Sequence, residues 1–139
     1  MKSKWLNRSL LTSPYYYKLC LTEKDFTKTL TDELEMPASH QPRFHTGRDS
    51  GATTHEFQHN DGEAQIIIVC MHPVADRTII ETYALLVHEA VHVWQYIASA
   101  IGERYPGDEE ESYAVQRISL ELFGSYDEQM ASRKKRRAK

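Results

Sequence analysis

The sequence predicts a single α+β domain in which a small β-sheet packs against helices. Three short runs, at residues 15–21, 53–58 and 63–71, have the length and side-chain composition of strands. Two longer stretches nearer the C-terminal end, about 78–101 and 108–123, have the apolar spacing of amphipathic helices. A chain of 139 residues can bury one hydrophobic core but not two, so we expect one compact domain.

The first predicted elements are a strand and a short helix. Residues 15–21 are rich in aromatic and apolar side chains, which favours a strand. Thr22 can cap the helix that follows, because acidic residues occupy its first turn and apolar residues recur every fourth position from Phe26. Residues 36–52 are rich in Pro, Gly, His and Arg, and we expect a loop there.

The next two strands are predicted to form a hairpin. The turn between them is His-Asn-Asp-Gly at residues 59–62, a composition typical of hairpin turns. The second strand is apolar on both faces at residues 66–70, which predicts a central position under a helix. The first strand is more polar, and we expect it at the edge of the sheet.

Two helices complete the predicted order. Asp76 or Thr78 can cap the first of them, and Gly102 can end it. The second helix is predicted from Asp108 to Phe123, with Gly124 as its stop. The predicted layout is therefore strand, helix, two strands and two helices.

Composition indicates a soluble protein without a membrane span. Hydrophobic residues make up 40% of the chain and charged residues 27%, which is ordinary for a globular protein. No apolar run approaches the ~20 residues that span a bilayer, and the first residues lack the features of a secretory signal. Cys20 and Cys70 lie in apolar runs and are expected to be buried free thiols. We therefore expect a cytoplasmic protein.

Basic residues are concentrated at the C-terminal end. The chain has a net charge of −3, and residues 133–139 carry six basic side chains, which leaves −9 on the remainder. Such a block is usually a solvated tail, so we predict a folded domain at 1–131 and a disordered tail at 132–139. The tail could attract nucleic acid weakly, but the acidic body argues against a dedicated nucleic-acid-binding domain.

The strongest functional signal is the pentapeptide H-E-A-V-H at residues 88–92. His88 and His92 are four residues apart, so on a helix both imidazoles lie on one face and can reach one zinc ion. Glu89 follows the first histidine directly and can take a proton from a metal-bound water as that water attacks a carbonyl. The surrounding stretch is apolar, where two imidazoles without a partner would be costly to bury.

On this motif the chain resembles the zincin metallopeptidases, which share the H-E-x-x-H arrangement. A catalytic zinc usually has three protein ligands. The metzincin positions for glycine and histidine hold Gln95 and Ala98, which excludes that branch. The remaining histidines lie upstream of the motif, and none is on an obvious partner helix. Glutamate is then the natural third ligand, and Glu109 and Glu111 compete for the role at the start of the next helix.

Glu109 is preferred on pattern. Residues 109–113 resemble the third-ligand helix of gluzincins, where a small residue follows one turn later. Residues 108–113 are also similar to a D-E-x-x-A-Y run in small zincin-like proteins encoded by bacteriophages, with Ser112 in place of alanine. Glu111 instead shares the apolar face of the helix, and any of these acids can simply favour the helix N-terminus. The likeness to the phage proteins extends to residues 16–23, 52–55, 68–70, 91–96 and 113–116.

The resemblance implies a minimal gluzincin-like domain, in which a small sheet packs on the H-E-x-x-H helix and a third-ligand helix follows. It implies a Zn²⁺ cofactor held by His88, His92 and Glu109, Glu89 as general base, and a protein or peptide substrate. Tyr113 could support a ligand or stabilise an oxyanion, with an ordinary packed tyrosine as the alternative. His55, on the expected edge strand, could contact substrate or an oxyanion, although an ordinary strand residue is the favoured interpretation. The alternative is a catalytically silent binding protein with a structural zinc, acting through a partner or nucleic-acid surface.

Overall fold

The computed structural model describes residues 3–6, 15–47, 51–58 and 64–138. The elements in chain order are β1 (Tyr15–Cys20), α1 (Glu23–Asp32), a 3₁₀ turn (Ala38–His40), β2 (Ala52–Gln58), β3 (Gln65–Met71), α2 (Ile79–Ala100) and α3 (Asp108–Arg137). The predicted α+β class and the predicted order of strands and helices are confirmed. The turn predicted at 59–62 lies outside the described residues.

The three strands form one mixed sheet in the order β1-β3-β2. β3 is central, pairing in parallel with β1 and antiparallel with β2. In this register Cys20 lies opposite Cys70, and Thr54 lies opposite Val69. The predicted central and edge positions of the last two strands are therefore confirmed.

Helices cover both faces of the sheet, which explains the unbroken apolar run of β3. Ile67, Val69 and Met71 pack in the core formed with α2 and α3. The alternate residues Ile66 and Ile68 pack in a second core with α1. Successive side chains of a strand point to opposite faces, so a strand buried on both sides must be apolar at every position.

Local signals set the beginning and end of α2. The Thr78 hydroxyl accepts the Glu81 N–H, and the Glu81 carboxylate accepts the Thr78 N–H, which together form a capping box. Of the two predicted caps, Thr78 is the one that the structure uses. Gly102 follows the helix with φ of 76°, a backbone conformation that favours glycine.

The predicted end of α3 is wrong. The helix does not stop at Gly124 but continues to Arg137, so the segment predicted to be a disordered tail from residue 132 is helical in the structure. The reason is burial beyond the glycine: Tyr126 and Gln129 are both buried. The Gln129 amide also donates to the Leu19 carbonyl over 2.9 Å, which ties the helix to β1.

Cys20 and Cys70 are free and buried, as predicted. Burial raises the pKa of the Cys20 thiol to about 12, and it also raises the pKa of Cys70. Both thiols are therefore protonated at neutral pH and are core groups. None of the helices in the described part of the chain has the length and apolar character needed to cross a membrane.

Candidate metal centre

The two histidines of the motif come together on one side of α2. The opposite side of the helix is buried against the sheet and α3, through residues such as Ala90, Val93 and Ile97. His88 and His92 therefore face outwards, one helical turn apart. Their Nε2 atoms are 3.1 Å apart, and the two ring planes are inclined at 80°.

This separation fits two ligands of one zinc ion. Zinc–nitrogen distances of about 2.0–2.1 Å and tetrahedral angles require roughly 3.3 Å between the two nitrogens. The observed 3.1 Å between the Nε2 atoms of His88 and His92 is close to that value. The same distance is a hydrogen bond between the two rings in the structure, so it is compatible with a shared cation without by itself locating one.

Gln95 fixes the orientation and tautomer of His92. The Gln95 Oε1 atom lies 3.0 Å from His92 Nδ1, and an amide oxygen can only accept, so Nδ1 carries the proton. The other ring nitrogen, Nε2, then carries the lone pair, which in the structure faces His88 Nε2. Metal-ligating histidines usually donate their second N–H in this way.

Glu89 lies beside the pair but faces the edge strand. Its side chain is 3% exposed, and its Oε2 atom accepts a hydrogen bond of 2.5 Å from the Thr54 hydroxyl of β2. The histidines and Glu89 line one cleft of about 280 Å³ between α2 and β2. The residues that line it are Thr46, Ala52, Thr53, Thr54, His88, Glu89, His92 and Tyr96.

The structure does not bring Glu109 to this cleft. Within the described residues, no third His, Cys, Asp or Glu joins the histidines in a group that could hold a metal ion. The buried residues Ala114, Ile118 and Leu122 mark the face of α3 that packs inwards. At 3.6 residues per turn, Glu109 is about 160° away from the direction of Ile118 and Leu122 and points outwards.

Glu111 occupies a different position on the same helix. It is exposed, although its direction around α3 is close to that of Ile118 and Leu122. It lines a hollow of about 460 Å³ that Trp94, Gln95 and other residues of α2 also line. Gln95 therefore contacts His92 on one side and borders the hollow of Glu111 on the other.

The other two residues considered for the site are elsewhere. His55 lies on the far face of the sheet, where its ring stacks on Phe26 at 5.0 Å and its Nε2 donates to the Phe44 carbonyl over 3.2 Å. Burial lowers the pKa of His55, partly offset by that hydrogen bond and by Glu89. Tyr113 is 65% exposed on α3 and does not line the cleft.

Sequence reasoning missed two contributors to the cleft. Thr54 holds Glu89, and Thr53 lines the wall beside it. Neither residue has a sequence signal of its own, because their role depends on β2 packing against α2. Tyr96 of α2 also lines the cleft.

Comparison of the chain with protein-family models, with curated proteins and with solved structures finds no match.

Proposed function

We propose that this protein is a zinc-dependent metallopeptidase. The observation that carries the proposal is the Nε2–Nε2 separation of 3.1 Å between His88 and His92, in a cleft that the Glu89 carboxylate also lines. Such a pair with an adjacent carboxylate is the arrangement used for metal-assisted hydrolysis of a carbonyl compound.

His88 and His92 would hold the metal. Of the two acids at the start of α3 we propose Glu111 rather than Glu109 as the third ligand, which requires it to move from the neighbouring hollow that it lines in the structure. The position of Glu111 supports this assignment, because it is on the side of α3 nearest α2 and lines the same hollow as Gln95, the hydrogen-bond partner of His92. A zinc ion held there would supply Lewis acidity and would lower the pKa of water towards neutrality. The donor set of two imidazoles and a carboxylate is one that zinc accepts.

Glu89 is proposed as the general base. The Thr54 hydroxyl occupies Oε2, which leaves Oε1 to accept a proton from the attacking water and deliver it to the leaving amine. Its buried position keeps the carboxylate in one orientation beside the histidines. No covalent intermediate with the protein is needed.

The edge strand β2 is proposed to bind the substrate. It forms one wall of the cleft through Ala52, Thr53 and Thr54 and is the terminal strand of the sheet. An extended peptide can pair with the main chain of an edge strand, which would align a scissile bond along the wall opposite His88 and His92. The proposed substrate class is therefore an extended segment of polypeptide.

The variant Glu89→Gln tests the proposal. It is expected to retain zinc and to lower cleavage on the order of 10²–10⁴-fold, because the ligands remain while the base is lost. The measurements are zinc content by mass spectrometry and cleavage of a proteome-derived peptide library by the zinc-loaded protein. Glu110→Gln, the same change at an exposed acid of α3, is the control and should leave cleavage unchanged. Cleavage by Glu89→Gln at the wild-type rate would refute the role of Glu89.

A second candidate is a catalytically silent protein with a structural zinc. The hydrogen bond between Thr54 and Glu89 supports it, because a buried carboxylate held in this way can also serve as a purely structural link between β2 and α2. In that case the wild-type protein would bind zinc and unfold at lower temperature after zinc removal, but it would cleave no member of the library.

A further inference from the structure

A basic groove lies between the first turns of α1 and the last turns of α3. It has a volume of about 390 Å³ and shares no residue with the cleft between α2 and β2. We call this feature the basic groove; its lining residues are Thr22, Lys24, Asp25, Lys28, Gln129, Arg133 and Arg136. The two sides of the groove come from parts of the chain about 100 residues apart, so it exists only in the folded protein.

Side-chain hydrogen bonds hold α3 in place along the groove. The Gln129 amide donates to the Leu19 carbonyl over 2.9 Å, and the Arg133 guanidinium donates to the Leu21 carbonyl over 3.0 Å. Both acceptors are at or just beyond the end of β1, immediately before α1. Arg136 follows Arg133 by about one turn and therefore faces α1 as well. The positions of the two arginines beside α1 are thus determined by the packing of α3 against the end of β1.

Positive charge in the basic groove is only partly neutralised. Four cationic side chains face one carboxylate, and that carboxylate, Asp25, already accepts the Ser3 N–H over 3.0 Å. Lys28 pairs with Asp32 on its own helix. In the described part of the chain, Lys24 and Arg136 have no ion-pair partner. This positive site lies on a chain with a net charge of −3.

The helix dipole accounts for only one of the four cations that line the basic groove, Arg136. Basic residues in the last turn of α3 favourably offset the negative end of its dipole, which explains Arg136 and its neighbours. Lys24 is in the first turn of α1, where the dipole is positive and a cation is unfavourable. Its position beside Lys28, Arg133 and Arg136 adds further repulsion. An anionic ligand in the groove would offset both costs.

We propose that the basic groove binds the phosphodiester backbone of a nucleic acid without reading its bases. Its donors are those that commonly contact phosphates: arginine, lysine and the hydroxyl of Thr22, together with the N-terminus of α1. The Thr22 oxygen accepts the Asp25 N–H, so its own O–H remains able to donate. No aromatic ring is among the described lining residues, so the groove offers no platform for base stacking.

The test compares two double variants with equal loss of charge. Lys24→Gln/Arg136→Gln removes two cations from the basic groove. Lys134→Gln/Lys135→Gln, the control, removes two from exposed positions of the same helix that do not line it. Binding is measured by fluorescence anisotropy with a labelled mixed-sequence oligonucleotide of about 20 nucleotides, single-stranded and as a duplex, from about 50 to 200 mM salt.

We expect the groove variant to bind roughly tenfold or more weakly and the control to stay within about twofold of wild type. For the groove variant, the slope of log K against log salt should fall in magnitude by about 1.4 with the single strand or 1.8 with the duplex, because two phosphate contacts are lost. The oligonucleotide that the wild-type protein binds more tightly identifies the preferred form of nucleic acid. Equal losses in both variants would overturn the proposal, because the attraction would then come from the whole basic segment. Absence of binding, or equal competition by polyglutamate of matched charge, would overturn it too.

Discussion

At the scale of single residues, the direction of each side chain from its helix determines the part it can take in the site. Glu109 and Glu111 are two residues apart on α3 and therefore point to nearly opposite sides. Both satisfy the local pattern of a small residue three positions later, so pattern alone could not separate them. The buried residues Ile118 and Leu122 show which side faces α2, and this side is that of Glu111.

We predict that Glu111→Gln weakens zinc binding far more than Glu109→Gln. Loss of a direct ligand should cost at least the 10–100-fold that loss of an outer hydrogen-bond partner costs. Competition with a chromophoric zinc chelator measures both affinities, and each variant serves as the matched control for the other. A greater loss for Glu109→Gln would return the ligand role to that residue.

Thr54 is a positioning residue for Glu89 in the proposed reaction. Thr54→Val keeps the shape of the side chain but removes the 2.5 Å hydrogen bond to the buried carboxylate. A hydrogen bond to a charged group contributes about 1.5–3 kcal/mol, so we expect turnover to fall roughly tenfold to a hundredfold while zinc content stays unchanged.

The conservative variant Thr54→Ser separates positioning from packing. It retains the hydroxyl and should recover most of the turnover and of the unfolding free energy measured in urea. If Thr54→Val keeps the wild-type turnover, or if only Thr54→Ser is impaired, packing of the methyl group is what matters at this position, and the hydrogen bond to Glu89 has no role in orienting the base.

The sequence could predict the histidine pair but not the partner of Glu89. A spacing of four residues on a helix determines that His88 and His92 share a face, whatever the rest of the fold does. The contact between Thr54 and Glu89 joins residues 35 positions apart and depends on the register of β2 against β3 and on its packing against α2. No local pattern contains that information.

At the scale of elements, local signals located the beginnings of helices well and one end poorly. Thr22 and Thr78 both accept a backbone N–H at the start of their helices, as their sequence context indicates. Gly124 was interpreted as a stop, although in the structure it is an exposed residue inside α3. The cost of a glycine in a helix is only about 1 kcal/mol, and burial of Tyr126 and Gln129 outweighs it.

Gly124→Ala should therefore stabilise the protein. A Cβ atom at this position would meet nothing within 4 Å, and the backbone is helical. Alanine is favoured over glycine in a helix interior by about 0.5–1 kcal/mol, so we expect the free energy of unfolding in urea to rise by that amount. Gly107→Ala, the same change at the N-cap of α3, should give no gain because alanine is a poor cap. A loss of stability in Gly124→Ala would show that α3 does not continue through this residue in solution.

At the scale of the whole molecule, folding brings together basic residues that are far apart in the sequence. The run of basic residues at 133–137 was visible, but the lysines of α1 could not be associated with it. Only the packing of α3 against the end of β1 brings Arg133 and Arg136 beside Lys24. The sequence therefore predicted a basic tail, whereas the folded chain has a groove.

One buried and one half-buried histidine on the α1 side of the sheet should make global stability depend on pH. Burial lowers the pKa of His55 below its ordinary value of 6.5. Burial also lowers the pKa of His45, with help from the nearby charges of His72, His55 and Arg77, while Glu23 opposes the shift. In both cases the unfolded chain takes up protons at a higher pH than the native protein does. The stabilisation is complete above about pH 6.5 and is lost as pH falls through the folded pKa values.

We expect the urea midpoint to fall steadily between about pH 7 and pH 5.5, a range in which most carboxylates remain ionised. His55→Gln should reduce this dependence, because its amide can still donate to the Phe44 carbonyl but does not titrate. His40→Gln, at an exposed histidine of the 3₁₀ turn, is the control and should retain the wild-type dependence. The change of midpoint with pH is the quantity to compare, since the absolute midpoint also reflects the lost stacking on Phe26. If His55→Gln and His40→Gln respond to pH identically, His55 does not contribute to the acid sensitivity of this fold.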